Sequence, residues 1–392
     1  MDAQRLHDTL KAGETAVVLV KPGHPKTARM ALGVKRGLWM ETASQDADAQ
    51  IDAFLAQADG PVFGWLGYDL KNAFERLDSR FEDRLGFGAL GLFEPIETGE
   101  SAVDFGRFRS SAGGEKKIQL TPRTPQEIYL ADVHALQAHI QRGDIYEVNY
   151  CQEFYAEGVS LDAMDVFARL LEATDAPHSA LVHHQGAWLL CGSPERYLRR
   201  TGDRLISQPI KGTVRRGADA DEDARLARQL QADPKERGEN IMITDLVRND
   251  LARAGRPGTV QVDELCGIYS FRTVHQMIST VSAEVDAATG LGHVLRASFP
   301  MGSMTGAPKV RAMELIDRYE HFSRGLYSGS VGAVEPNGDF DFNVVIRSIF
   351  WNANTGYLSV RVGGAITALS DPEAEYTECL LKAEAMVKAL NP

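Results

Sequence analysis

Three short runs near the end of the chain decide its fold class: Ser328-Gly-Ser-Val-Gly-Ala-Val334, Asn343-Val-Val-Ile-Arg-Ser-Ile-Phe-Trp351 and Tyr357-Leu-Ser-Val-Arg-Val362. They are rich in β-branched and aromatic residues and are separated by Gly, Pro, Asn and Asp, a composition typical of strands and turns. Pro372 then opens a predicted helix, and Asp371 is placed to cap it. Strands followed by a helix indicate an α/β or α+β protein with large sheets.

Earlier in the chain, similar patterns predict further helices and strands. Thr124-Pro-Gln-Glu127 has the spacing of a capping box, with Pro125 at the first helical position, and apolar residues at helical spacing follow it as far as Gly143. The other predicted elements are strands at 15–20, 61–68, 145–154 and 180–190 and helices at 219–232, 236–253 and 310–319. The glycine-rich stretch 110–117 predicts a loop and a candidate domain boundary.

Composition excludes several classes of protein. The chain has 392 residues with 42 Lys and Arg against 54 Asp and Glu, a net charge of −12, and its 44% hydrophobic and 24% charged residues are usual for a globular fold. The acidic balance argues against a general nucleic-acid binder. Since no apolar run approaches the length of a membrane span and the four cysteines are scattered, we expect a cytoplasmic protein with reduced thiols and no membrane partner.

A lysine in a strand-like segment and a glycine-rich loop are the first candidate functional features. In Pro209-Ile-Lys-Gly-Thr213, alternation places Lys211 on the same face as Pro209 and Thr213. A partly buried lysine can act as a nucleophile, and a surface lysine on an edge strand is the alternative. The loop Gly302-Ser-Met-Thr-Gly-Ala-Pro-Lys309 lacks the Walker A spacing, and its backbone amides predict either an anion site or a plain turn.

Two helices carry paired carboxylates. On the last helix, Glu375, Glu378 and Lys382 share one face, and Glu236 and Glu239 have the same i,i+3 spacing on an earlier helix. Carboxylates in this arrangement bind a hard cation such as Mg²⁺, or they form a solvated ladder of Glu and Lys side chains. The spacing alone leaves both interpretations open.

Taken in order, these segments resemble the chorismate-utilising enzymes, a family that includes anthranilate, aminodeoxychorismate, isochorismate and salicylate synthases. The resemblance covers about residues 120–390 and rests on an ordered series of blocks. The blocks are Gly143-Asp-Ile-Tyr-Glu-Val-Asn149, Ser193-Pro-Glu-Arg196, Pro209-Ile-Lys-Gly-Thr213, Glu239-Asn-Ile-Met-Ile-Thr-Asp-Leu-Val-Arg-Asn-Asp250, Val274-His-Gln-Met277, Gly302-Ser-Met-Thr-Gly-Ala-Pro-Lys309, Tyr327-Ser-Gly-Ser-Val-Gly332, Ile346-Arg347 and Glu375-Tyr-Thr-Glu378.

The resemblance implies an α+β fold in which two large β-sheets pack against each other and helices lie outside them. Residues 120–392 are expected to form the chorismate-binding catalytic domain. Residues 1–115, which include Gly64-Trp-Leu-Gly-Tyr-Asp69, look like a shortened N-terminal region of the amino-transferring members. This region is expected to interleave with the catalytic core.

Within the family, Lys211 makes the chain most similar to the aminodeoxychorismate synthases. Those enzymes carry a lysine at this position, whereas anthranilate synthases carry Ala. In that branch the lysine attacks C2 of chorismate, and ammonia then displaces it to give 4-amino-4-deoxychorismate for folate synthesis. The resemblance implies Lys211 as nucleophile and Glu195 as general acid. His275 matches a position that assists pyruvate elimination in anthranilate synthase, and from the residue alone it is either an acid–base group or a core histidine.

The resemblance also implies sites for Mg²⁺ and for the carboxylates of chorismate. Glu239 and Glu378 are expected to ligate Mg²⁺, and Glu375 and Glu236 are expected to be further ligands or to hold its water. Arg347 offers the bidentate fork that suits a carboxylate. The other expected substrate-binding residues are Thr213, Gly302, Thr305, Tyr327, Gly363, Gly364 and Lys382.

The resemblance also bears on the source of ammonia and on the alternative functions of the chain. The sequence contains no Gly-x-Cys-x-Gly segment of a glutaminase, so ammonia is expected from a separate glutamine amidotransferase subunit. One rival is anthranilate synthase component I with Lys211 as a tolerated variant, and another is a non-catalytic chorismate-binding subunit. An isochorismate or salicylate synthase is disfavoured, because those enzymes carry a water-activating lysine at the position of Glu147.

Three residues depart from the usual pattern of the family. The amino-transferring members usually carry Gln at the position of Glu147. Ala365 replaces a Gly near the expected carboxylate site, and Leu369 stands where Asp is common. These departures bear on the fine geometry of the substrate site.

Overall fold

The computed structural model describes residues 3–109 and 117–391, so the predicted loop and boundary lies outside the described residues except for Lys117. The helices are α1 (Ala3–Lys11), α2 (Ala47–Ala56), α3 (Lys71–Phe74), α4 (Gln126–Gln141), α5 (Ala163–Thr174), α6 (Ala220–Ala232), α7 (Pro234–Ala254), α8 (Leu291–Ser298), α9 (Lys309–Tyr319) and α10 (Pro372–Leu390). The strands are β1 (Ala16–Lys21), β2 (His24–Met40), β3 (Val62–Leu66), β4 (Leu90–Ala102), β5 (Thr121–Pro122), β6 (Glu147–Ala156), β7 (Ala180–His184), β8 (Ala187–Cys191), β9 (Arg196–Thr201), β10 (Arg204–Gln208), β11 (Ile210–Arg215), β12 (Gln261–Ser270), β13 (Val274–Glu284), β14 (Gly306–Ala307), β15 (Ser330–Val334), β16 (Phe340–Asn343), β17 (Ser348–Asn352) and β18 (Tyr357–Ile366).

The strands form one continuous antiparallel ladder. Its order is β6–β18–β17–β8–β7–β1–β2–β4–β3–β15–β16–β9–β10–β13. β5 and β14 pair with β6 at one end, and β11 and β12 pair with β13 at the other. The long β2–β4 pair stands in the middle and has a register shift between Val34 and Arg36. It therefore joins the half of the ladder that contains β1 to the half that contains β3.

The two halves of the ladder pack face to face. In β1, Val17 belongs to an apolar cluster that we call the inner core, whereas Ala16 and Val18 belong to a separate outer cluster. The inner core also contains Phe63 of β3 and Val281 of β13. Since this one cluster takes side chains from both halves, it lies between them.

Helices cover the outer surfaces of the ladder. The outer cluster joins residues of β1, β6 and β18 to α1, α4, α5 and α10, while α7 packs on β11, β12 and β13. This packing places α7 beside β11 and α10 beside β18. The two helices with the predicted carboxylate pairs are thus fixed next to the strands that carry Lys211 and Gly363.

The predicted α+β fold with packed sheets and external helices is confirmed, although the two sheets are joined into one ladder. The helix predicted after Asp371 is α10, and the Asp371 side chain accepts a hydrogen bond from the Ala374 N–H at 2.8 Å. None of the helices in the two described ranges is long and apolar enough to cross a membrane. The four cysteines, all within these ranges, are buried and free.

Three local predictions are wrong. The run 180–190 is not one strand but the hairpin of β7 and β8, which turns at Gln185 and Gly186. The run 343–351 is not a single strand, because Arg347 adopts a φ of 52° and the chain leaves the ladder between β16 and β17. The capping box at Thr124 does not form, because the side-chain amide of Gln152 binds the backbone N–H and C=O of Thr124 at 3.1 and 2.6 Å. Helix α4 consequently begins at Gln126, after Pro125.

A buried ion pair near the centre gives a prediction about stability. The side chain of Arg324 is 1% exposed, and its guanidinium binds Glu320 at 2.6 Å and the carbonyls of Met304 and Asn149 at 2.7 and 2.8 Å. Replacement of Arg324 by Met leaves the Glu320 charge buried without its partner. We expect the free energy of unfolding, measured with urea, to fall by about 3–5 kcal/mol.

The exposed pair of Arg311 and Glu314 provides the control for this measurement. Replacement of Arg311 by Met removes an ion pair of the same type from a helix surface. The free energy of unfolding is expected to change by less than about 1 kcal/mol. Equal effects of the two substitutions would contradict the role of burial at Arg324.

Candidate active site

A cavity of about 470 Å³ opens between α7, α10, β11 and β18. The predicted site residues that line it are Glu195, Lys211, Thr213, Glu236, Glu239, Tyr327, Arg347, Gly363, Glu375, Glu378 and Lys382. Lys235 and Arg361 also line it, so five basic and five acidic side chains face one space. The charges are balanced in number, and each sign can therefore bind a different group of one ligand.

Lys211 enters this cavity from a bulge in β11. Ile210 pairs with Ile278 and Thr213 with Gln276, so Lys211 and Gly212 lie within a register shift. Gly212 has a φ of +91°, a conformation that favours glycine. A bulge changes the direction of the side chains next to it, and at this bulge the Lys211 side chain lines the cavity.

The charge of Lys211 is held by neighbouring carboxylates. Its Nζ lies 3.3 Å from Oε1 of Glu147, and the two side chains are 13% and 4% exposed. Burial lowers the pKa of Lys211, but the carboxylates of Glu147 and Glu239 outweigh that effect and raise the pKa above its usual value. Lys211 is therefore an ammonium that needs a proton acceptor before it can act as a nucleophile.

Glu195 is a buried acid in the same cavity. It is 5% exposed, and its backbone N–H donates to the Ser193 hydroxyl at 3.2 Å. Burial raises the pKa of Glu195 to about 7, against the opposing effects of the Ser303 hydroxyl and of the Lys211 charge. A carboxyl group with this pKa holds a proton near neutral pH and can donate it to a leaving hydroxyl.

Four glutamates on α7 and α10 form the acidic part of the lining. Burial raises the pKa of Glu236, Glu239 and Glu375, and repulsion between neighbouring carboxylates adds to it. The pKa of Glu378 is lowered, since Lys382 outweighs the effect of its burial. These charged oxygens would be stabilised by a cation.

These donors suit Mg²⁺ in chemistry. Across residues 3–109 and 117–391, no group of three or more His, Cys, Asp and Glu side chains is arranged to hold a metal ion. Mg²⁺ commonly uses one or two protein carboxylates and completes its octahedron with water and substrate oxygens. A partly hydrated ion of this kind needs only one or two of the four glutamates.

A second set of lining residues, Arg347, Tyr327 and Lys382, carries groups that suit an anion, and we call it the anion-binding wall. Arg347 reaches it from the segment between β16 and β17, and its Nη1 donates to the Lys382 carbonyl at 3.0 Å. Lys382 Nζ donates to the Gly363 carbonyl at 2.8 Å and pairs with Glu378 at 2.6 Å. Tyr327 is 2% exposed and lines the same wall. Arginine and tyrosine donors side by side can bind a carboxylate.

Three predicted substrate-binding residues lie behind the lining. Thr305 is fully buried, and its hydroxyl donates to carbonyls of its own turn at 3.3 Å. A Cβ at Gly302 would meet Leu246 at 2.8 Å, so this glycine lets the turn approach α7. A Cβ at Gly364 would lie 2.9 Å from Oε2 of Glu375. Gly364 therefore provides space for a carboxylate of the lining.

The structure does not bring His275 to the cavity. Val274 and Gln276 line the cavity, and alternation along β13 turns His275 to the other face. Its ring is 2% exposed and is held by Ser270 at 2.8 Å and Asp223 at 2.9 Å. This placement corresponds to the hydrogen-bonded core histidine.

Lys235, Ser303 and Arg361 also line the cavity, and none of the three is among the predicted site residues. Arg361 is 2% exposed and binds Glu153 at 2.9 Å, and an arginine inside the apolar run of β18 was the available signal. Ser303 is 7% exposed, and its hydroxyl faces the Glu195 carboxyl and lowers the pKa of that group. It therefore opposes part of the effect of burial on Glu195.

Comparison with known proteins agrees with this geometry. A family model described as chorismate binding enzyme matches residues 6–388. A protein of Klebsiella aerogenes named aminodeoxychorismate synthase component 1 is 41% identical over 353 residues, which are 85% of this chain and 77% of that protein. A protein of Oryza sativa subsp. japonica named probable aminodeoxychorismate synthase, chloroplastic, is 39% identical over 296 residues. That match covers 75% of this chain and 33% of the rice protein, so the chain spans a minor part of the plant relative.

Solved structures share the fold. The crystal structure of anthranilate synthase component I from Streptococcus pneumoniae superposes with a TM-score of 0.80 over 92% of both chains. The sequences are 22% identical, so the likeness concerns the fold alone.

Proposed function

The chain belongs to the chorismate-binding enzyme family, and from this premise we propose that it is component 1 of an aminodeoxychorismate synthase. It would convert chorismate and ammonia to 4-amino-4-deoxychorismate in folate synthesis. The observation that carries the proposal is Lys211, a side chain of the cavity lining whose Nζ lies 3.3 Å from the Glu147 carboxylate. The relatives named aminodeoxychorismate synthase support it.

The proposed reaction uses three side chains of this chain. Lys211, whose ammonium is held 3.3 Å from the Glu147 carboxylate, loses a proton to water, and the free amine attacks C2 of chorismate. Both ring double bonds shift, and the C4 hydroxyl leaves as water with a proton from Glu195. Ammonia then adds at C4, both double bonds shift back, and the bond between C2 and Lys211 breaks with its electron pair going to the lysine nitrogen. Chorismate and ammonia thus give aminodeoxychorismate and water, and the lysine is regenerated.

Substrate orientation is assigned to the two walls of the cavity. We propose that Arg347 and Tyr327 bind one carboxylate of chorismate. Glu239 and Glu378 would hold Mg²⁺, and the neighbouring glutamates of α7 and α10 would bind its water. When bound, the ion supplies positive charge beside a substrate carboxylate.

The ammonia is proposed to come from a partner. The Klebsiella protein is named as a component of its synthase, and this sequence has no Gly-x-Cys-x-Gly segment. A glutamine amidotransferase subunit would therefore release ammonia for this chain. Free ammonium at high concentration is expected to substitute for the partner.

Product identification tests the proposed function. The purified chain is incubated with chorismate, Mg²⁺ and ammonium, and the products are separated by liquid chromatography and identified by mass spectrometry. We expect aminodeoxychorismate, which added aminodeoxychorismate lyase converts to 4-aminobenzoate. Anthranilate with pyruvate would contradict the proposal and identify an anthranilate synthase. Unconsumed chorismate that nevertheless binds would also contradict it and would favour a non-catalytic subunit.

Metal removal gives a second prediction. Chelation by EDTA is expected to abolish product formation, and added Mg²⁺ to restore it. Replacement of Glu239 by Gln removes a charged oxygen from the cavity, so the Mg²⁺ concentration for half-maximal rate should rise at least about tenfold. The measurement is the initial rate as a function of Mg²⁺ concentration.

Glu384 on α10 provides the matched control. Its carboxylate pairs with Lys388 at 2.6 Å, and it does not line the cavity. The Glu384→Gln variant is expected to require the same Mg²⁺ concentration as the wild-type chain. Activity in EDTA, or an unchanged requirement in the Glu239→Gln variant, would argue against a metal at these glutamates.

A further inference from the structure

Asn240 follows a predicted metal ligand but faces away from the cavity. It lies next to Glu239 on α7, is fully buried, and is absent from the cavity lining. An amide in such a position is stable only when its donors and acceptors are all used. The contacts of this side chain therefore show what it holds in place.

The amide of Asn240 joins α7 to three strands. Its Nδ2 donates to the Lys211 carbonyl at 3.4 Å and to the Met277 carbonyl at 3.1 Å. Its Oδ1 accepts from the Ser279 hydroxyl and from Cys266 Sγ, the latter at 3.6 Å. Two donors and two acceptor sites are thus all occupied, and β11, β12 and β13 are tied to one helical residue.

The contact with Lys211 lies at the bulge of β11. Since Lys211 and Gly212 lie within the register shift, neither has a partner residue in the pairing with β13. The Asn240 amide supplies a hydrogen bond to the backbone there. The bulge is therefore fixed to the helix that carries Glu236 and Glu239, and not to the adjacent strand alone.

We propose that Asn240 is a positioning residue that holds this bulge and thereby aims the Lys211 amine at the reacting carbon, an inference that rests on the proposed function. It touches neither substrate nor metal. Its hydrogen bonds fix the nucleophile of β11 relative to the carboxylates of α7. A displacement of about 1 Å at a reacting group costs on the order of 10²-fold in rate, so this restraint has a measurable effect.

The Asn240→Asp variant tests the proposal. It keeps the shape of the side chain but replaces Nδ2, the donor to the Lys211 and Met277 carbonyls, by an oxygen that cannot donate when ionised. At pH 8, kcat for aminodeoxychorismate formation is expected to fall about 10²-fold. KM for chorismate should change by less than about threefold, since the anion-binding wall of Arg347 and Tyr327 is untouched. A second readout without metal or substrate is the labelling of Lys211 by trinitrobenzenesulfonate, quantified by peptide mass spectrometry. We expect faster labelling when the bulge is released.

Thr244 provides a matched control one turn further along α7. Its hydroxyl donates to the Asn240 backbone carbonyl at 2.6 Å, so Thr244→Val removes a buried hydrogen bond of the same helix without touching β11. Its kcat and its Lys211 labelling are expected to match the wild-type chain. If the Asp variant does not fold, Asn240→Ser, which also lacks the amide donors, takes its place in both measurements.

The outcomes separate this inference from the proposed function. Equal kcat values and equal Lys211 labelling in the Asn240 and Thr244 variants would overturn the positioning role. A wild-type product other than aminodeoxychorismate would contradict the proposed function. In that case the labelling comparison still decides whether Asn240 holds Lys211 in place.

Discussion

Replacement of Lys211 by alanine is expected to lower the rate of aminodeoxychorismate formation by at least about 10³-fold, or about 4 kcal/mol of transition-state stabilisation. The reason is that the proposed reaction passes through a bond between this amine and C2 of the substrate. The two other lysines of the lining are held elsewhere, since Lys382 binds the Gly363 carbonyl and Glu378, and Lys235 pairs with Glu239 at 3.8 Å. Chorismate binding, measured by calorimetry, should persist because the anion-binding wall is unchanged.

The Lys211→Arg variant separates nucleophilic attack from simple charge. Arginine keeps the positive charge beside Glu147 but stays protonated and does not attack carbon. If the lysine acts as a nucleophile, the Arg variant should be as inactive as the Ala variant. Recovery of most of the activity in the Arg variant would mean that the cavity needs only a cation at this position. If either variant formed anthranilate instead of aminodeoxychorismate, the lysine would determine which of the two products is made.

The second large effect is expected at Glu195. Burial raises the pKa of Glu195 to about 7, so the protonated form predominates below about pH 7 and is lost as the pH rises through that value. The limb of kcat/KM that depends on this acid should fall above about pH 7. Glu195→Gln has the same size but no proton to donate, and the rate is expected to fall by about 10²–10⁴-fold.

The pH profile of the Gln variant distinguishes an acid from a binding group. If Glu195 donates the proton to the departing hydroxyl, its limb should disappear from the residual activity of the variant. If kcat/KM of the variant still fell above about pH 7, the fall would belong to another titrating group. Thermal unfolding of the variant provides the control for a correctly folded cavity.

The sequence predicts which residues line the cavity better than it predicts how the backbone places them there. The i,i+3 glutamate pairs were found because helical spacing is fixed and places such side chains on one face. Lys211 was identified from its apolar and small neighbours and from the family resemblance. The register shift that places it in the cavity cannot be derived from the alternation of residues along a strand. Arg347 was found inside a run that was predicted as one strand, and its positive φ depends on tertiary contacts that a local pattern does not contain.

His275 shows where a stricter use of the sequence would have helped. Alternation along β13 already separates Val274 and Gln276 from His275, so only one of the two sets can face the cavity. Ser303 and Arg361 show the opposite case. Their importance depends on burial and on contacts with Glu195 and Glu153, and these are properties of the assembled structure.

The central position of the first hundred residues in the ladder has a consequence for how the chain reaches its folded state. β1 pairs with β7, and β3 pairs with β15, where Leu66 lies opposite Ser330 from the last third of the chain. The segment synthesised first therefore keeps unpaired edges until the last third of the chain has emerged, and contacts of such long sequence separation form slowly. A fragment that starts at residue 120 would expose the same edges on β7 and β15. It is expected to aggregate by edge pairing, even though it contains every side chain of the cavity lining.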